Sequence, residues 1–443
     1  MRQSASHASN HSFPTPCLEM KQSIRDIIRS SILLILERFE RENEVYPFVN
    51  TKFDIVTGQD FGNKAEAFKG HDCIYSWIQG RGLESLAKHA EYMDIHQEPA
   101  LAERLRRMMA IVAGKMEQLR ALHAGRLPFA MHQDGTPFFP QEKSDANYSD
   151  LFYSKGLFAT GRVLGKEEWM RKGRALFLST LDAIRRGDFR TDQKSFDPKN
   201  QVAFVSGKYP QGPRMIALGG IADFLFAEPE EPIWAEFAEE FIRFILAHHV
   251  NQGTTPELQP YDFIESLDAE GHPWKDGEIL FCDPGHALEF TGLAAKCLLI
   301  LKRQERQSAL IQEALHALPP LFCHVFDYGF NPTAGGIVKG FDLMTRCPTN
   351  SDMPWWSLPE TTRAGFLLAA LSPIEQLPLT QRAERAFGAF AKGFLQMNGF
   401  ACQTRDANGH IVNVIPALPD ADPGYHTNLS LMDVESTWGI SNC

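Results

Sequence analysis

The stretch Asp283-Pro284-Gly285-His286-Ala287-Leu288-Glu289 marks the point where a long polar loop becomes an apolar helix. Its proline and glycine break the loop, and residues 288–301 have the pattern of a buried helix. His286 and Glu289 are three residues apart, so they share one face of the first turn. Two titratable groups at the mouth of a buried helix cost free energy unless they are satisfied or used. The stretch therefore predicts either a helix cap with a hydrogen-bonded core histidine or one wall of a functional site.

The same transition from loop to helix recurs along the chain. Helical periodicity predicts twelve helices, near residues 22–43, 71–93, 98–122, 148–163, 167–186, 211–226, 231–249, 285–304, 306–325, 355–371, 379–397 and 428–437. Strand-like alternation is sparse, chiefly near residues 410–414.

The connections between the predicted helices alternate in length. The short ones lie near residues 94–97, 164–166, 228–230, 304–305 and 372–379. The long ones lie near residues 44–70, 123–147, 187–210, 251–284, 326–354 and 398–427. Structureless loops of about twenty residues or more are uncommon in compact domains and are usually functional.

This alternation predicts an all-α fold in which six helical hairpins close into an (α/α)6 barrel. The short turns would lie at one end, and the long loops would surround a pocket at the other. We expect residues 21–443 to form this single catalytic domain, after a flexible tail over residues 1–20 that is rich in Ser, His and Pro. A multi-domain α-solenoid is the alternative, but a solenoid does not need six long loops so evenly placed.

Composition narrows the class of protein. The chain has 443 residues, of which 44% are hydrophobic, and a net charge of −11, so nucleic acid is not expected as a partner. The N-terminus lacks the apolar core of a signal peptide, and the longest apolar run, residues 32–36, is far too short to cross a bilayer. The eight cysteines have no CxxC spacing and suggest neither a disulfide framework nor a zinc site. We therefore expect a cytoplasmic protein without a membrane partner.

The helices that follow the long loops carry unusual residues in their first turns. Alternate helices of such a barrel form its inner ring, so these six first turns would face one cavity. Flat apolar walls would come from Trp77, Tyr153, Trp355 and Trp356, and polar groups from Arg81, Arg214, His286, Glu289, Glu360 and His426. Aromatic faces with convergent polar groups are typical of small-molecule pockets. They suit a sugar ring, which has apolar C–H faces and a rim of hydroxyls.

Each of these residues also has a purely structural interpretation. Arg81 would then pair with a core carboxylate such as Glu84, and Tyr153 would pack within the inner ring. Arg214 would be a surface charge and His426 a solvated loop histidine. Core packing or a favourable charge near a helix N-terminus would explain the others, namely Trp355, Trp356, Glu360 and Asp150. One shared pocket explains six equivalent positions more simply than six separate structural reasons.

Six motifs at these positions carry a family resemblance, and in chain order they are Trp77-Ile78-Gln79-Gly80-Arg81, Ser149-Asp150-Leu151-Phe152-Tyr153, Pro284-Gly285-His286-Ala287-Leu288-Glu289, Gly335-Gly336 through Asp342, Trp355-Trp356 with Glu360, and His426. They resemble the N-acylglucosamine 2-epimerase superfamily, which also contains cellobiose 2-epimerases, mannose isomerases and sulfoquinovose isomerases. The motifs span residues 45–435 roughly. The resemblance implies an (α/α)6 barrel and a sugar substrate, and a homodimer is typical of the family.

The resemblance implies a role for each polar residue. His286 and His426 would be the acid/base pair that removes and returns a proton at C2 of an open-chain sugar, and histidine suits this task because its ordinary pKa is about 6.5. Arg81 would hold the O1/O2 region and stabilise negative charge. Glu289 would orient His286 or bind a hydroxyl, and Glu360 would bind hydroxyls or help to open the ring. The predicted substrate-binding set also includes Trp77, Tyr153, Arg214, Trp355 and Trp356.

Two departures from the family pattern leave the sugar open. Mannose isomerases, sulfoquinovose isomerases and cellobiose epimerases usually have a Met-His pair where this chain has Met215-Ile216, a feature it shares with the N-acylglucosamine branch. Tyr425-His426, however, is closer to the Tyr-His of cellobiose epimerases. A 2-epimerase is the first prediction, and an aldose–ketose isomerase, which can use one base, is the second.

Two further readings compete with these. A glycoside hydrolase on the same barrel would use Glu289 or Asp150 with Glu360, about 6.5–9.5 Å apart if inverting. A non-catalytic partner-binding protein is the other, since mammalian members of the family associate with renin.

We expect no metal, because His286 and Glu289 have no second histidine at helical spacing. We expect no cofactor, because neither a GxGxxG nor a Walker motif is present.

Overall fold

A computed structural model describes residues 18–61, 68–140, 146–194, 204–372, 376–396, 399–415 and 417–438. In these residues there are twelve α-helices: α1 (Leu18–Glu42), α2 (Ser76–Ile95), α3 (Pro99–Leu122), α4 (Tyr148–Leu164), α5 (Glu167–Arg186), α6 (Gly212–Ala227), α7 (Pro232–His248), α8 (Pro284–Arg303), α9 (Ser308–Gly329), α10 (Ser357–Leu371), α11 (Gln376–Ala389) and α12 (Asn428–Thr437). None of the helices described is long and apolar enough to cross a membrane.

The predicted helices correspond one to one with these elements. Helix α1 begins four residues earlier than predicted and α9 ends four residues later, and the largest corrections concern α2 and α11. Helix α2 begins at Ser76 rather than near residue 71, because Ile74–Tyr75 pairs as a strand with Met131 and Ala130. Helix α11 ends at Ala389 and continues as one π-helical turn over Phe390–Phe394. Residues 1–17 of the predicted tail lie outside the described residues, and α1 already begins at Leu18.

Short strands tie the long loops together. Those in the described part of the chain are β1 (Ile74–Tyr75), β2 (Ala130–Met131), β3 (Ala146–Asn147), β4 (Phe189–Arg190), β5 (Tyr209–Pro210), β6 (Ser266–Leu267), β7 (Phe281–Cys282), β8 (Phe330–Asn331), β9 (Gly336–Ile337), β10 (Gly340–Asp342), β11 (Cys347–Asn350), β12 (Met353–Pro354) and β13 (Thr404–Arg405). They pair as β1–β2, β3–β4, β5–β6, β11–β10–β7, β8–β9 and β12–β13, and only β3–β4 is parallel.

The strand predicted near residues 410–414 is wrong. Within that segment only Ile411 forms a bridge, to Arg405, while the neighbouring strand β13 pairs with β12. The chain reverses at Gly409, whose φ of 86° lies in the left-handed region that glycine tolerates. The alternation of apolar residues there belongs to one arm of a short loop rather than to a ladder.

The even-numbered helices form a closed inner ring. Helices α2, α4, α6, α8, α10 and α12 each pack against the next, and α12 packs against α2. The odd-numbered helices lie outside this ring. Helices α3, α5, α7 and α9 each contact the inner helices on either side of them, whereas α1 packs mainly on α12 and α11 on α10. The short connections lie at one end of the barrel and the long loops at the other, which confirms the predicted (α/α)6 barrel.

Residue composition explains which helices lie inside. Helix α5 buries one stripe that includes Phe177, Leu181 and Ile184, as expected of an outer helix with one face in water. Helix α6 is apolar nearly all round and is buried on most sides. The inner helices also approach closely, because a Cβ on Gly156 of α4 would lie 2.2 Å from the carbonyl oxygen of Gly80 in α2.

A buried polar contact closes the ring. The side-chain amide of Asn428, the first residue of α12, donates to Ser31 Oγ of α1 at 2.8 Å and lies 2.8 Å from His89 Nε2 of α2. Burial lowers the pKa of His89 to about 4, so its ring is neutral and can accept this bond. The last helix is thereby joined to the first hairpin.

Replacing Asn428 with Ala should destabilise the barrel, because it leaves the buried Nε2 of His89 without its partner and removes the link to Ser31, whose hydroxyl still bonds the carbonyl of Ile27. The expected loss is about 1–3 kcal/mol in the free energy of unfolding, measured by urea denaturation. Asn408→Ala, in an exposed loop, is the control and should leave stability unchanged. Equal stability of the two variants would show that the contact does not hold the closure.

Candidate active site

The long loops and the first turns of the inner helices enclose a cavity of about 1280 Å³. Eight of the ten predicted site residues line it: Trp77, Arg81, Arg214, His286, Glu289, Trp355, Trp356 and His426. Since these residues come from five different helices or their entry loops, only closure of the ring brings them together. The predicted common pocket is therefore present in the structure.

His286 is held by carboxylates on its loop side. Asp283 caps α8 by accepting from the backbone N–H groups of Gly285 and His286. Glu265, just before β6, lies 2.9 Å from His286 Nδ1 through its Oε1 atom. This contact leaves Nε2 as the ring nitrogen without a protein partner in the described part of the chain.

The pKa of His286 reflects a balance of opposing effects. Burial alone would lower it, but the negative charges of Asp283 and Glu265 outweigh burial and raise the pKa to about 9. Lys339 limits the rise, because its ammonium lies 2.5 Å from Asp283 Oδ2 and neutralises part of that charge. His286 therefore carries a proton at neutral pH in the free protein.

His426 is held in an equivalent way from another direction. Asp422 accepts backbone N–H groups from Tyr425, His426 and Thr427, which fixes the turn into α12. Glu360 of α10 lies 3.0 Å from His426 Nδ1 through its Oε1 atom. Burial would raise the pKa of Glu360, but its ion pair with Arg363 and its contact with His426 lower it. This carboxylate is ionised and backs the histidine.

Trp356 contacts both histidines. Its ring centroid lies 5.4 Å from that of His286 and 5.7 Å from that of His426. The indole reaches this position because residue 285 is glycine, where a Cβ would meet Trp356 Cη2 at 2.8 Å. The two imidazoles are therefore spaced by one rigid aromatic side chain.

Glu289 is the carboxylate without a partner. It is buried, lines the cavity, and makes no hydrogen bond or ion pair to any residue that the structure describes. Burial raises its pKa, and the nearby charge of Glu360 raises it further. Ligand atoms of Glu289, Glu360 and His426 lie within 4.8 Å of one another. Glu289 is thus placed to exchange hydrogen bonds with a bound molecule.

Arg81 is a cation in an aromatic cage. Its guanidinium carbon lies 4.1 Å from the ring centroid of Phe152, 5.2 Å from that of Tyr425 and 5.3 Å from that of Trp77. Its Nε is buried without a hydrogen-bond partner, and burial lowers its pKa from the ordinary value. It does not pair with Glu84, because Lys155 takes that carboxylate.

Tyr153 is not a wall of the cavity, contrary to the prediction. Its hydroxyl donates to Glu117 of outer helix α3 at 3.0 Å, and its ring is buried between the two layers. The aromatic residues of α4 that line the cavity are Tyr148 and Phe152. Asp150 lies in the first turn of α4, where its structural interpretation placed it, and forms a capping box with Asn147 that was not predicted.

Arg214 and Glu360 also occupy positions that differ from the prediction. Arg214 reaches the cavity edge, but its guanidinium packs 3.8 Å from the ring centroid of Phe244 on outer helix α7, and burial lowers its pKa. Glu360 does not line the cavity. It lies behind His426, so it supports that histidine rather than facing a ligand.

Several site residues were not predicted as such. Direct contacts with a predicted site residue are made by Glu265, Asp283, Lys339, Asp422 and Tyr425. Asp283, Asp422 and Tyr425 lie beside recognised motifs in the sequence, so their closeness to the predicted site residues could have been predicted. Glu265 and Lys339 lie in long loops, and no spacing rule connects them to His286.

Glu289, Glu360 and His426 are also the one group in the described residues close enough to hold a metal ion. Two of the three ligands are already engaged, because Glu360 pairs with Arg363 and bonds to His426. The expectation that this site works without a metal ion stays a prediction.

Comparison with known proteins agrees with this geometry. The family model described as N-acylglucosamine 2-epimerase (GlcNAc 2-epimerase) matches residues 161–426. A cellobiose 2-epimerase from Bacillus thermoamylovorans is similar in structure, with a TM-score of 0.69, 10% identity, and coverage of 94% of this chain and 99% of the other. A D-mannose isomerase has a TM-score of 0.66, 15% identity, and coverage of 95% and 99%. At such identities the structural likeness shows the fold alone, and no curated protein matches the chain significantly.

Replacing Gly285 with Ala should displace Trp356, because the new methyl group would overlap the indole ring. We expect a loss of about 1–3 kcal/mol in unfolding free energy and a change in the near-UV circular dichroism of tryptophan. Gly114→Ala, in outer helix α3, is the matched control, since a Cβ there meets nothing within 4 Å. The control should be neutral or stabilise by about 0.5–1 kcal/mol. An unchanged tryptophan signal in Gly285→Ala would contradict the packing.

Replacing Glu265 with Gln should lower the pKa of His286 from about 9, because the variant removes one of the two charges that raise it. In the folded protein that pKa lies above the ordinary 6.5, so the stabilising effect is fully present below pH 6.5 and is lost as pH rises through about 9. The stability difference between wild type and variant should follow this window. NMR titration of His286 and urea unfolding against pH would measure both effects.

Glu270→Gln, an exposed change farther along the same loop, controls for the loss of one acidic residue. It should leave the titration of His286 as in wild type. If Glu265→Gln also leaves the pKa of His286 in place, the contact between the two residues does not set it.

Proposed function

Because the chain belongs to the N-acylglucosamine 2-epimerase family, it is an enzyme of the sugar epimerase and isomerase class, and we propose that it epimerises an open-chain sugar at C2. The observation that carries this proposal is the pair of carboxylate-backed imidazoles, His286 with Glu265 and His426 with Glu360, both against Trp356. Each ring keeps its Nδ1 on a carboxylate, and its Nε2 has no partner in the described part of the chain. A 2-epimerase needs two such groups, because it removes a proton from one face of C2 and returns one to the other.

The proposed reaction runs through an enediolate. One imidazole takes the C2 proton, and the electron pair of the C–H bond moves into a C1–C2 double bond while negative charge develops on O1. The other imidazolium then delivers its proton to the opposite face of C2, and the carbonyl re-forms. A carbon acid beside a carbonyl is very weak, so stabilising this oxygen is as important as the base.

Arg81 is assigned to that oxygen. Its guanidinium has no hydrogen-bond or ion-pair partner in the described part of the chain and is desolvated by three rings. In such surroundings the attraction between the cation and a developing oxyanion is stronger than in water. An unpaired cation at the cavity wall therefore favours the charge-separated transition state.

The protonation state of His286 divides the work between the histidines. A pKa of about 9 gives His286 a proton in the free enzyme at neutral pH, so it starts as the acid in one direction, with His426 as the base. After one turnover the proton sits on His426, and the same pair catalyses the reverse direction with the roles exchanged. The proposal requires that one proton be shared between the two imidazoles, each of which is backed by a carboxylate.

Glu289 is assigned to the sugar hydroxyls or to O2. Family resemblance implies that it orients His286, but Glu265 holds Nδ1 of that ring. Burial and the charge of Glu360 favour its neutral form, and a neutral carboxyl group can both donate and accept. Glu289 can therefore keep hydrogen bonds to the sugar oxygens as a carbonyl and a hydroxyl become an enediol, without itself carrying a full charge.

Isomerisation of an aldose to a ketose is the second candidate, since one base on one face is sufficient for it. Met215-Ile216 stands where isomerases and cellobiose epimerases alike usually have Met-His, so this feature, which resembles the N-acylglucosamine branch, does not by itself separate the two reactions. A glycoside hydrolase is less well supported. Ligand atoms of Glu289 and Glu360 lie within 4.8 Å, closer than the roughly 6.5–9.5 Å of inverting pairs. A retaining pair, at about 5–5.5 Å, would need Glu360 available to the substrate, but Glu360 is bound to Arg363 and His426.

Incubation with a panel of aldoses and N-acylhexosamines in D2O, followed by NMR, tests the proposal. Deuterium at C2 together with formation of the epimer supports 2-epimerisation. Formation of a ketose would support the isomerase, and release of a free sugar from a glycoside would support the hydrolase. No reaction with any sugar would contradict the proposal and favour a binding role.

Single replacements of the histidines should separate the two half-reactions. His286→Asn and His426→Asn should each lose about 10²–10⁴-fold in epimer formation, as is typical for general acid–base groups. Each variant should still exchange the C2 proton of one epimer in D2O, and the two variants should retain opposite epimers. His410→Asn, at an exposed loop position, serves as the control. Unchanged turnover of His426→Asn would remove His426 from the mechanism.

A further inference from the structure

The interior of the barrel contains charges deeper than the first turns. Every inner helix contributes at least one. Those that are buried are Glu84 of α2, Lys155 of α4, Asp223 of α6 and Arg363 of α10, and those that are partly exposed are Lys88 of α2, Lys296 of α8 and Asp433 of α12. Charges withdrawn from water are costly, and an apolar core of the same shape is often as stable. An interior built from ion pairs therefore needs a reason other than stability.

Lys155 is the member of this set that touches the active-site wall. Its side chain is only 1% exposed and does not line the cavity. Its ammonium lies 3.0 Å from Glu84 Oε2 and donates to the hydroxyl of Tyr425 at 2.7 Å. The lysine therefore lies beneath the residues that line the cavity and contacts the site through its hydrogen bond to Tyr425.

The neighbouring helix is shaped around this lysine. A Cβ on Gly220 of α6 would meet Phe177 Cζ at 2.5 Å and Lys155 Cδ at 2.7 Å. A glycine in a helix interior reduces its stability. Here it leaves room for both Phe177 and the lysine side chain, which crosses from α4 towards Tyr425.

Tyr425 connects the lysine to two residues of the proposed chemistry. Its ring centroid lies 5.2 Å from the guanidinium carbon of Arg81 and 5.0 Å from the centroid of His426, with the two rings nearly perpendicular. Asp422 fixes the backbone of Tyr425 at 2.9 Å. In the described residues, only Lys155 bonds the hydroxyl at the other end of the side chain.

We propose that Lys155 is a positioning residue: it anchors Tyr425 from beneath and thereby fixes Arg81 and His426 at the distances that catalysis needs. Its effect on turnover rests on the proposed function, whereas its effect on Tyr425 does not. Displacing a reacting group by about 1 Å can cost 10²-fold in rate, so a single hydrogen bond below the floor is sufficient to matter.

The test removes the lysine together with its carboxylate partner. Lys155→Met alone would leave Glu84 buried without a cation, so the variant used is Lys155→Met with Glu84→Gln. The matched control is Lys88→Met with Asp223→Asn, an ion pair of 2.8 Å between α2 and α6. Both variants remove one positive and one negative interior charge, but the control pair has no contact with Tyr425.

The expected kinetic result is a loss of about 10²-fold in kcat for the Lys155 and Glu84 variant, with wild-type kcat for the control. Tyr425→Phe, which keeps the ring and loses the hydroxyl, should show a similar loss. Combining Tyr425→Phe with the Lys155 and Glu84 variant should add little, because both remove the same interaction. Equal losses in the two charge-pair variants, or additive losses with Tyr425→Phe, would overturn the proposal.

Crystal structures of the same variants without substrate give a readout that does not need activity. The ring of Tyr425 should leave Arg81 in the Lys155 and Glu84 variant and stay in place in the control. If Tyr425 keeps its contact with Arg81 after the lysine is removed, the positioning role is refuted. If no sugar reacts with the wild-type enzyme, the proposed function fails, while the position of Tyr425 still decides the role of Lys155.

Discussion

Charge enclosed in a ring of helices is the constraint on which the rest of this structure depends. The six inner helices leave little water between them, so a charged side chain inside the ring must find a partner or lose its charge. Glu84 and Lys155 satisfy each other, as do Glu360 and Arg363. The interior is therefore an array of pairs, in which the position of one group is fixed by the next.

Two groups that have no such partner in the described part of the chain lie in the site. Arg81 and Glu289 lie at the cavity wall with no partner in the described part of the chain. One is a cation in an aromatic cage, and the other is a carboxyl group whose pKa is raised by burial and by Glu360. A bound sugar, with its hydroxyls and developing oxyanion, would supply the interactions that the protein withholds from them. The cost of leaving them unpaired is recovered only when substrate is present.

Some of this organisation was accessible to sequence analysis because helices repeat a simple geometry. Loop lengths alone indicated a closed barrel, and residues four apart, such as Trp77 and Arg81, share a face and reach the cavity together. The prediction that Tyr153 lines the cavity is wrong for the same geometric reason. Tyr153 follows Tyr148 by five residues, which is about 140° around a helix of 3.6 residues per turn, so it faces Glu117 of the outer layer. Phe152, at the four-residue spacing, faces the cavity.

The sequence by itself determined the order and length of the helices, the end of the barrel at which the long loops meet, and the family motifs with His286, Glu289 and His426. Local periodicity and turn residues are sufficient for these features because they act between near neighbours in the chain. Only the tertiary structure decided the partners: Glu265 for His286, Glu360 for His426, and Lys155 for Tyr425. These pairs join residues that are 21, 66 and 270 positions apart, and no periodic rule relates such positions, since ring closure and burial bring them together.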